Sequence, residues 1–145
     1  MIILLDSGPL GRLANPRATG ESAQCLTWLE TMITAEVRVM VPEICDYEIR
    51  RELLRINSAK SVAILDELRI RLGLVALNRS TMLRAADLWA QTRKIGLPTA
   101  HDKALDVDVI LAAQALEVNG IIATENAAHL NRFVKAEHWR DISGI

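Results

Sequence analysis

The chain has 145 residues, of which 50% are hydrophobic, 24% charged and 3% aromatic, with a formal net charge of −1. That length suits one domain burying about 70% of the surface its unfolded chain would expose, and the hydrophobic share excludes a disordered polar chain. A near-neutral balance excludes a broadly basic nucleic-acid binder, and five aromatic residues exclude a base-stacking platform.

Ile2-Ile3-Leu4-Leu5 is a short apolar run closed by Asp6-Ser7-Gly8-Pro9, the pattern of a strand buried on both faces followed by a turn. Asn15 to Gly20 reads as a loop. Cys25, Leu26, Trp28, Leu29, Met32 and Ile33 then recur at helical spacing from Ser22 to about Thr34. Val37, Val39 and Val41 alternate in a second strand ended by Pro42. Helices are predicted over Glu43 to Ile56 and Ser58 to Leu72, the latter stopped by Gly73. Leu74 to Leu77 is a third strand. Asn78 or Ser80 caps a helix that runs to Ile95, where Gly96 and Pro98 stop it. Asp106 to Val118 is helical, with Asn119-Gly120 as its C-cap, and Ile121 to Thr124 is a fourth strand. Asn126 to Phe133 reads as a short helix and His138 to Ile142 as a weak final strand.

Short apolar strands alternating with helices argue a single α/β domain over residues 1–145, with a parallel sheet covered on both faces. No apolar stretch approaches the ~20 residues that span a bilayer. The N-terminal run is too short for a signal peptide, and Cys25 and Cys45 lack metal or disulfide spacing. Cytoplasmic residence is therefore expected.

Ligands of open parallel sheets bind beyond the carboxyl ends of the strands. Asp6 and Ser7 follow the first strand, and Thr124, Glu125 and Asn126 follow the fourth; the plain alternative for each is capping of the next helix. Glu48 lies on the helix after the second strand, where Arg51 and Glu52 also suit a solvated, ion-paired face. Asp106 and Asp108 lie two apart, roughly 200° around a helix, so they do not share one site as equals. Crowded carboxylates stay ionised best around a cation, and oxygen-only ligands select Mg²⁺ or Mn²⁺ over zinc. No P-loop or Gly-x-Gly-x-x-Gly occurs, and Gly8 stands where a dehalogenase-type phosphatase needs its second Asp.

Four segments in this order resemble the PIN-domain family of metal-dependent ribonucleases, most closely its VapC-type toxins. They are Ile3-Leu4-Leu5-Asp6-Ser7-Gly8-Pro9-Leu10, Val41 to Leu53, Asp106 to Ala115, and Ile122-Ala123-Thr124-Glu125-Asn126. The resemblance implies a three-layer fold, with a central parallel sheet flanked by helices, that is often a homodimer. It places catalytic positions on Asp6, Glu48, Asp108 and Asn126, with Asp6, Glu48 and Asp108 holding Mg²⁺ or Mn²⁺ and Ser7, Asp106 and Thr124 assisting. Asn126 falls where the family often has Asp; it cannot ionise, and Asp106 is an alternative fourth acid. The resemblance further implies cleavage of an RNA substrate and restraint by a cognate antitoxin protein.

Basic residues that would border such a site are Arg12, Arg50 and Arg51, with Arg17, Arg55, Lys60, Arg93, Lys94 and Lys103 nearby in sequence. The alternative is that they are solvating charges. His101, His129 and His138 lack metal spacing and read as structural or surface residues. A competing function is a non-catalytic PIN-fold module that binds nucleic acid or protein, to which the neutral Asn126 gives weight.

Overall fold

A computed structural model describes residues 1–96 and 102–144, with side chains throughout except at 102–104. His101, Pro98 and the Lys103 side chain lie outside the described residues. The elements in chain order are β1 (Ile2–Leu5), α1 (Ser7–Leu13), α2 (Gly20–Thr34), β2 (Arg38–Pro42), α3 (Glu43–Arg55), α4 (Ala59–Leu72) and β3 (Leu74–Val75). They continue with α5 (Arg79–Lys94), α6 (Asp102–Val118), β4 (Ile121–Thr124), α7 (Ala127–Leu130), β5 (Ala136–His138) and a 3-10 turn at Trp139–Asp141.

The five strands form one sheet in the order β3-β2-β1-β4-β5, and every pairing is parallel. Ile3 pairs with Val39 on one side and Ile121 on the other, so β1 is central, as its apolar run predicts. Ile3, Leu4 and Leu5 are all fully buried. Successive strand residues face opposite sides, so helices must cover both faces, giving the expected α/β architecture. Strand order reverses beside β1: the chain runs outward through β2 and β3, then returns to add β4 and β5 on the other side. The crevice at such a reversal is where open parallel sheets place ligands.

The third strand shortens to Leu74–Val75 and the helix expected over Asn126 to Phe133 to Ala127–Leu130, and three further local readings change. Ser7 to Leu13 is helical, although Gly8, Pro9 and Gly11 suggest a turn. Pro9 sits in the first turn, where the amide it lacks has no intrahelical partner anyway, and the Asp6 side chain caps the helix by accepting from Ser7 N at 2.7 Å. Helix α6 starts at Asp102 rather than Asp106, so Asp106 and Asp108 lie inside it and gain less from its N-terminal dipole than a start at Asp106 would give. The last strand is Ala136–His138 rather than His138 to Ile142. His138 then turns the chain, its Nδ1 accepting from Arg140 N at 3.1 Å.

The main core joins Leu4, Leu5, Leu10, Leu29, Val41, Leu65, Leu111 and Ile122, and a small satellite of Ala85, Leu105, Val109 and Ala113 seals α5 against α6. Both cysteines are buried and free. Gly120 fixes the approach of β4 to β1, since a Cβ there would lie 2.6 Å from Leu4 Cδ1 and 3.3 Å from the Ile2 carbonyl. No described helix is long and apolar enough to cross a membrane.

Candidate active site

The strand reversal between β1 and β4 opens into a cleft of about 340 Å³ lined by Asp6, Ser7, Glu48, Val107, Asp108, Asn126, His129 and Leu130. Asp6, Glu48, Asp108 and Asn126 come from four separated stretches of chain, and the fold brings all four to this cleft.

Asp6 is fixed from several sides. Its backbone N donates to Ala123 O at 2.9 Å, continuing the β1–β4 ladder past the last strand residue. Its Oδ1 accepts from Ser7 N at 2.7 Å, and its Oδ2 accepts from Thr124 Oγ1 at 2.7 Å. The buried Cys45 thiol, in the first turn of α3, donates to Oδ1 at 3.8 Å. Burial, reinforced by the neighbouring Asp6 and Glu48 charges, holds that thiol well above its ordinary range, so it remains a donor rather than a thiolate. Capping and site roles therefore coincide at Asp6: the carboxylate that caps α1 also faces the cleft.

Thr124 is fully buried. Its hydroxyl accepts from Asn126 N at 3.0 Å while donating to Asp6, so one side chain ties the end of β4 to Asp6 and to the entry of α7. Asn126 makes no side-chain cap to α7, which leaves its amide for the cleft.

Asp108 is half-buried on α6. Its pKa is raised from the ordinary 3.8 to about 6, first by burial and then by repulsion from Asp6, with a smaller push from Glu48; His129 and Arg132 act the other way. The carboxylates thus feel one another across the cleft, which is the condition a cation relieves. The two acids of α6 part company: Asp108 faces the cleft, while Asp106 is exposed and borders a separate apolar groove with Met82, Trp89 and Val109.

The basic residues are placed differently from the acids. Arg12 is ion-paired with Glu21 at 2.7 Å and with Glu125, which also accepts from Trp139 Nε1 at 3.2 Å. Arg50 forks onto Asp46 with two bonds of 3.0 Å and reaches Asp66 at 2.8 Å. Arg51 lies exposed, its guanidinium 5.1 Å from the centre of the Tyr47 ring. None of the three lines the cleft. His129 is a surface residue, as expected of the histidines, but it stands on the cleft wall; its single-residue signal in the sequence carries no metal spacing.

The donors are carboxylate and amide oxygens, the chemistry of Mg²⁺ or Mn²⁺. Among the described residues no three carboxylate, imidazole or thiol groups converge as a ligand cage. This set fits a largely hydrated ion held by one or two carboxylates, the usual state of Mg²⁺, better than an all-protein cage.

No family model matches the chain, and no curated protein does. Solved structures do match over nearly its whole length. A chain in the crystal structure of VapBC2 from Rickettsia felis, bound to a DNA fragment from their promoter, is 17% identical with a TM-score of 0.73; the match covers 96% of this chain and 99% of that one. A chain of FitAcB from Neisseria gonorrhoeae is 19% identical with a TM-score of 0.68, covering 97% and 99%. A chain of VapBC-1 from nontypeable Haemophilus influenzae is 16% identical with a TM-score of 0.65, covering 97% and 100%. The fold is the PIN-like one that the sequence resemblance implies.

Proposed function

We propose that the switch-point cleft is the active site of a Mg²⁺- or Mn²⁺-dependent endoribonuclease, and that the chain is the toxin of a toxin–antitoxin pair. The observation that carries this reading is that Asp6, Glu48 and Asp108 line one cleft of a fold shared with VapBC- and FitAB-type chains.

Asp6 and Asp108 would hold the ion, with Glu48 reaching it directly or through water. When bound, the ion supplies an activated water and stabilises charge on the phosphate and leaving oxygen. The chain's own groups do the rest. Thr124 and the Ser7 amide hold the Asp6 carboxylate in one rotamer, so that little reorganisation is needed at the moment of reaction. Asn126 orients water or a phosphate oxygen without adding charge. Val107 and Leu130 form the apolar part of the cleft lining.

RNA would be held through its backbone. Arg51 offers an exposed guanidinium, whereas Arg12 and Arg50 must exchange a carboxylate partner for a phosphate. The antitoxin partner belongs to the same proposal, supported by the likeness to VapBC and FitAB assemblies; the homodimer rests on the sequence resemblance. The competing reading, a binding module without catalysis, draws on the absence of a converged ligand cage among the described residues and on the neutral Asn126. The deciding experiment is incubation with single- and double-stranded RNA and with DNA, in Mg²⁺, Mn²⁺ or EDTA. Metal-dependent RNA cleavage supports the nuclease, cleavage of DNA alone shifts the substrate, and binding without cleavage supports the module.

A further inference from the structure

We infer that Gln114 is a positioning residue that sets α6 against α3, and with it the spacing of Asp108 and Glu48; this rests on the nuclease reading of the cleft. Gln114 is fully buried, an unusual place for a side chain with three or four hydrogen-bonding sites. Its Oε1 accepts from Ile44 N at 3.3 Å, in the first turn of α3, and its Nε2 donates to the Val75 carbonyl at the end of β3.

The location gives this bridge its consequence. Helix α3 has Pro42 at its N-cap, which supplies no side-chain cap, so its first-turn amides need acceptors from elsewhere. Gln114 supplies one in trans from α6. The next residue, Cys45, touches Asp6, and Glu48 follows one turn along. Among the described residues this is the side-chain hydrogen bond that links the helix of Asp108 to the helix of Glu48. Glu43 adds a second tie by accepting from Leu77 N, which anchors the same turn to the exit of β3. The small residues around Gln114, Ala112, Ala113 and Ala115, are all fully buried, so α6 packs close and has little freedom to find another register.

The test uses the whole chain with Gln114→Met, an apolar replacement of similar length, and Leu29→Val as a control that trims the core in α2. Amide hydrogen exchange without metal comes first. Wild type should protect Ile44 like the interior of α3, and Gln114→Met should lose that protection while the α6 interior keeps its own. Should Gln114→Met fail to fold, the wild-type Ile44 rate still decides: exchange as fast as an uncapped first-turn amide overturns the clamp. The second readout is a Mn²⁺ titration with RNA. Gln114→Met should raise the Mn²⁺ midpoint about tenfold and lower kcat about as much with KM unchanged, the size typical for groups that orient metal ligands; Leu29→Val should change neither. Lost Ile44 protection with a wild-type Mn²⁺ midpoint overturns the positioning role. If wild type itself neither binds Mn²⁺ nor cleaves RNA, the nuclease reading fails separately, and unchanged Ile44 exchange in Gln114→Met then overturns the clamp.

Discussion

Replacing Asp108 by Asn should make the metal-free protein more stable while disabling it. The carboxyl holds its proton to about pH 6 in the folded chain against 3.8 in its ordinary state, because it is buried beside Asp6 and Glu48. Below pH 3.8 both folded and unfolded chains carry the proton, and the group costs nothing. Between about 4 and 6 the unfolded chain ionises first, so stability falls as pH rises; above 6 the penalty is complete. The separation corresponds to a ceiling of about 3 kcal/mol, which solvent in the open cleft reduces to about 1–2 kcal/mol. An unfolding entropy of about 2.1 cal/mol/K per residue converts this into a rise in Tm of roughly 3–7 °C for Asp108→Asn at pH 7.5 in EDTA. At pH 3.5 the two proteins should melt together. Calorimetric melts at both pH values measure it. A variant that is less stable than wild type at pH 7.5, or equally shifted at both, refutes the view that the cleft stores carboxylate repulsion.

Saturating Mn²⁺ should raise the wild-type Tm at pH 7.5, do so less at pH 5 where Asp108 keeps its proton, and leave Asp108→Asn nearly unmoved. Thr124→Val removes the donor to Asp6 Oδ2 and the acceptor for Asn126 N; RNA cleavage should fall at least tenfold, with a stability loss of about 1–3 kcal/mol seen in urea melts. Arg12→Ala should cost no more than about 1 kcal/mol, because its pairs with Glu125 and Glu21 are partly exposed. The Arg12 bond holds the Glu125 pKa below its usual value, so that contribution is present above pH 4.5 and disappears as pH falls through the folded pKa. Gly120→Ala should destabilise by about 1–3 kcal/mol, since its methyl meets the buried Leu4 side chain at 2.6 Å; an unchanged melting temperature would show that the Leu4 side chain gives way without cost.

The first four strands were legible because they are short apolar runs bounded by turn residues, whereas β5, Ala136–His138, carries Glu137 and His138 and gives no such signal. Asp6 and Thr124 were legible as residues just past strand ends, the one place where a polar group on a buried strand has room. Helix α1 was hidden by Gly8 and Pro9, whose breaker character has no force in a first turn. The start of α6 was misplaced by a turn because Asp106 resembles an N-terminal acid, and the choice between Asp106 and Asp108 depended on packing against α5. Gln114 lies within Asp106 to Ala115 but carries no role legible in sequence, since the significance of a buried amide depends on which backbone groups face it. The distant partners of Arg12 and Arg50 were out of reach: Glu125 is 113 residues from Arg12 in the chain, and Asp66 is 16 from Arg50.

The most direct measurement is the cleavage rate of end-labelled RNA in saturating Mn²⁺ by wild type, Asp6→Asn and Asp108→Asn, each checked for folding by its melt. Both variants should fold, with Asp108→Asn melting higher without metal, and both should cleave at least a hundredfold more slowly than wild type. Equal rates in all three would contradict the assignment of this cleft as a metal-dependent ribonuclease site.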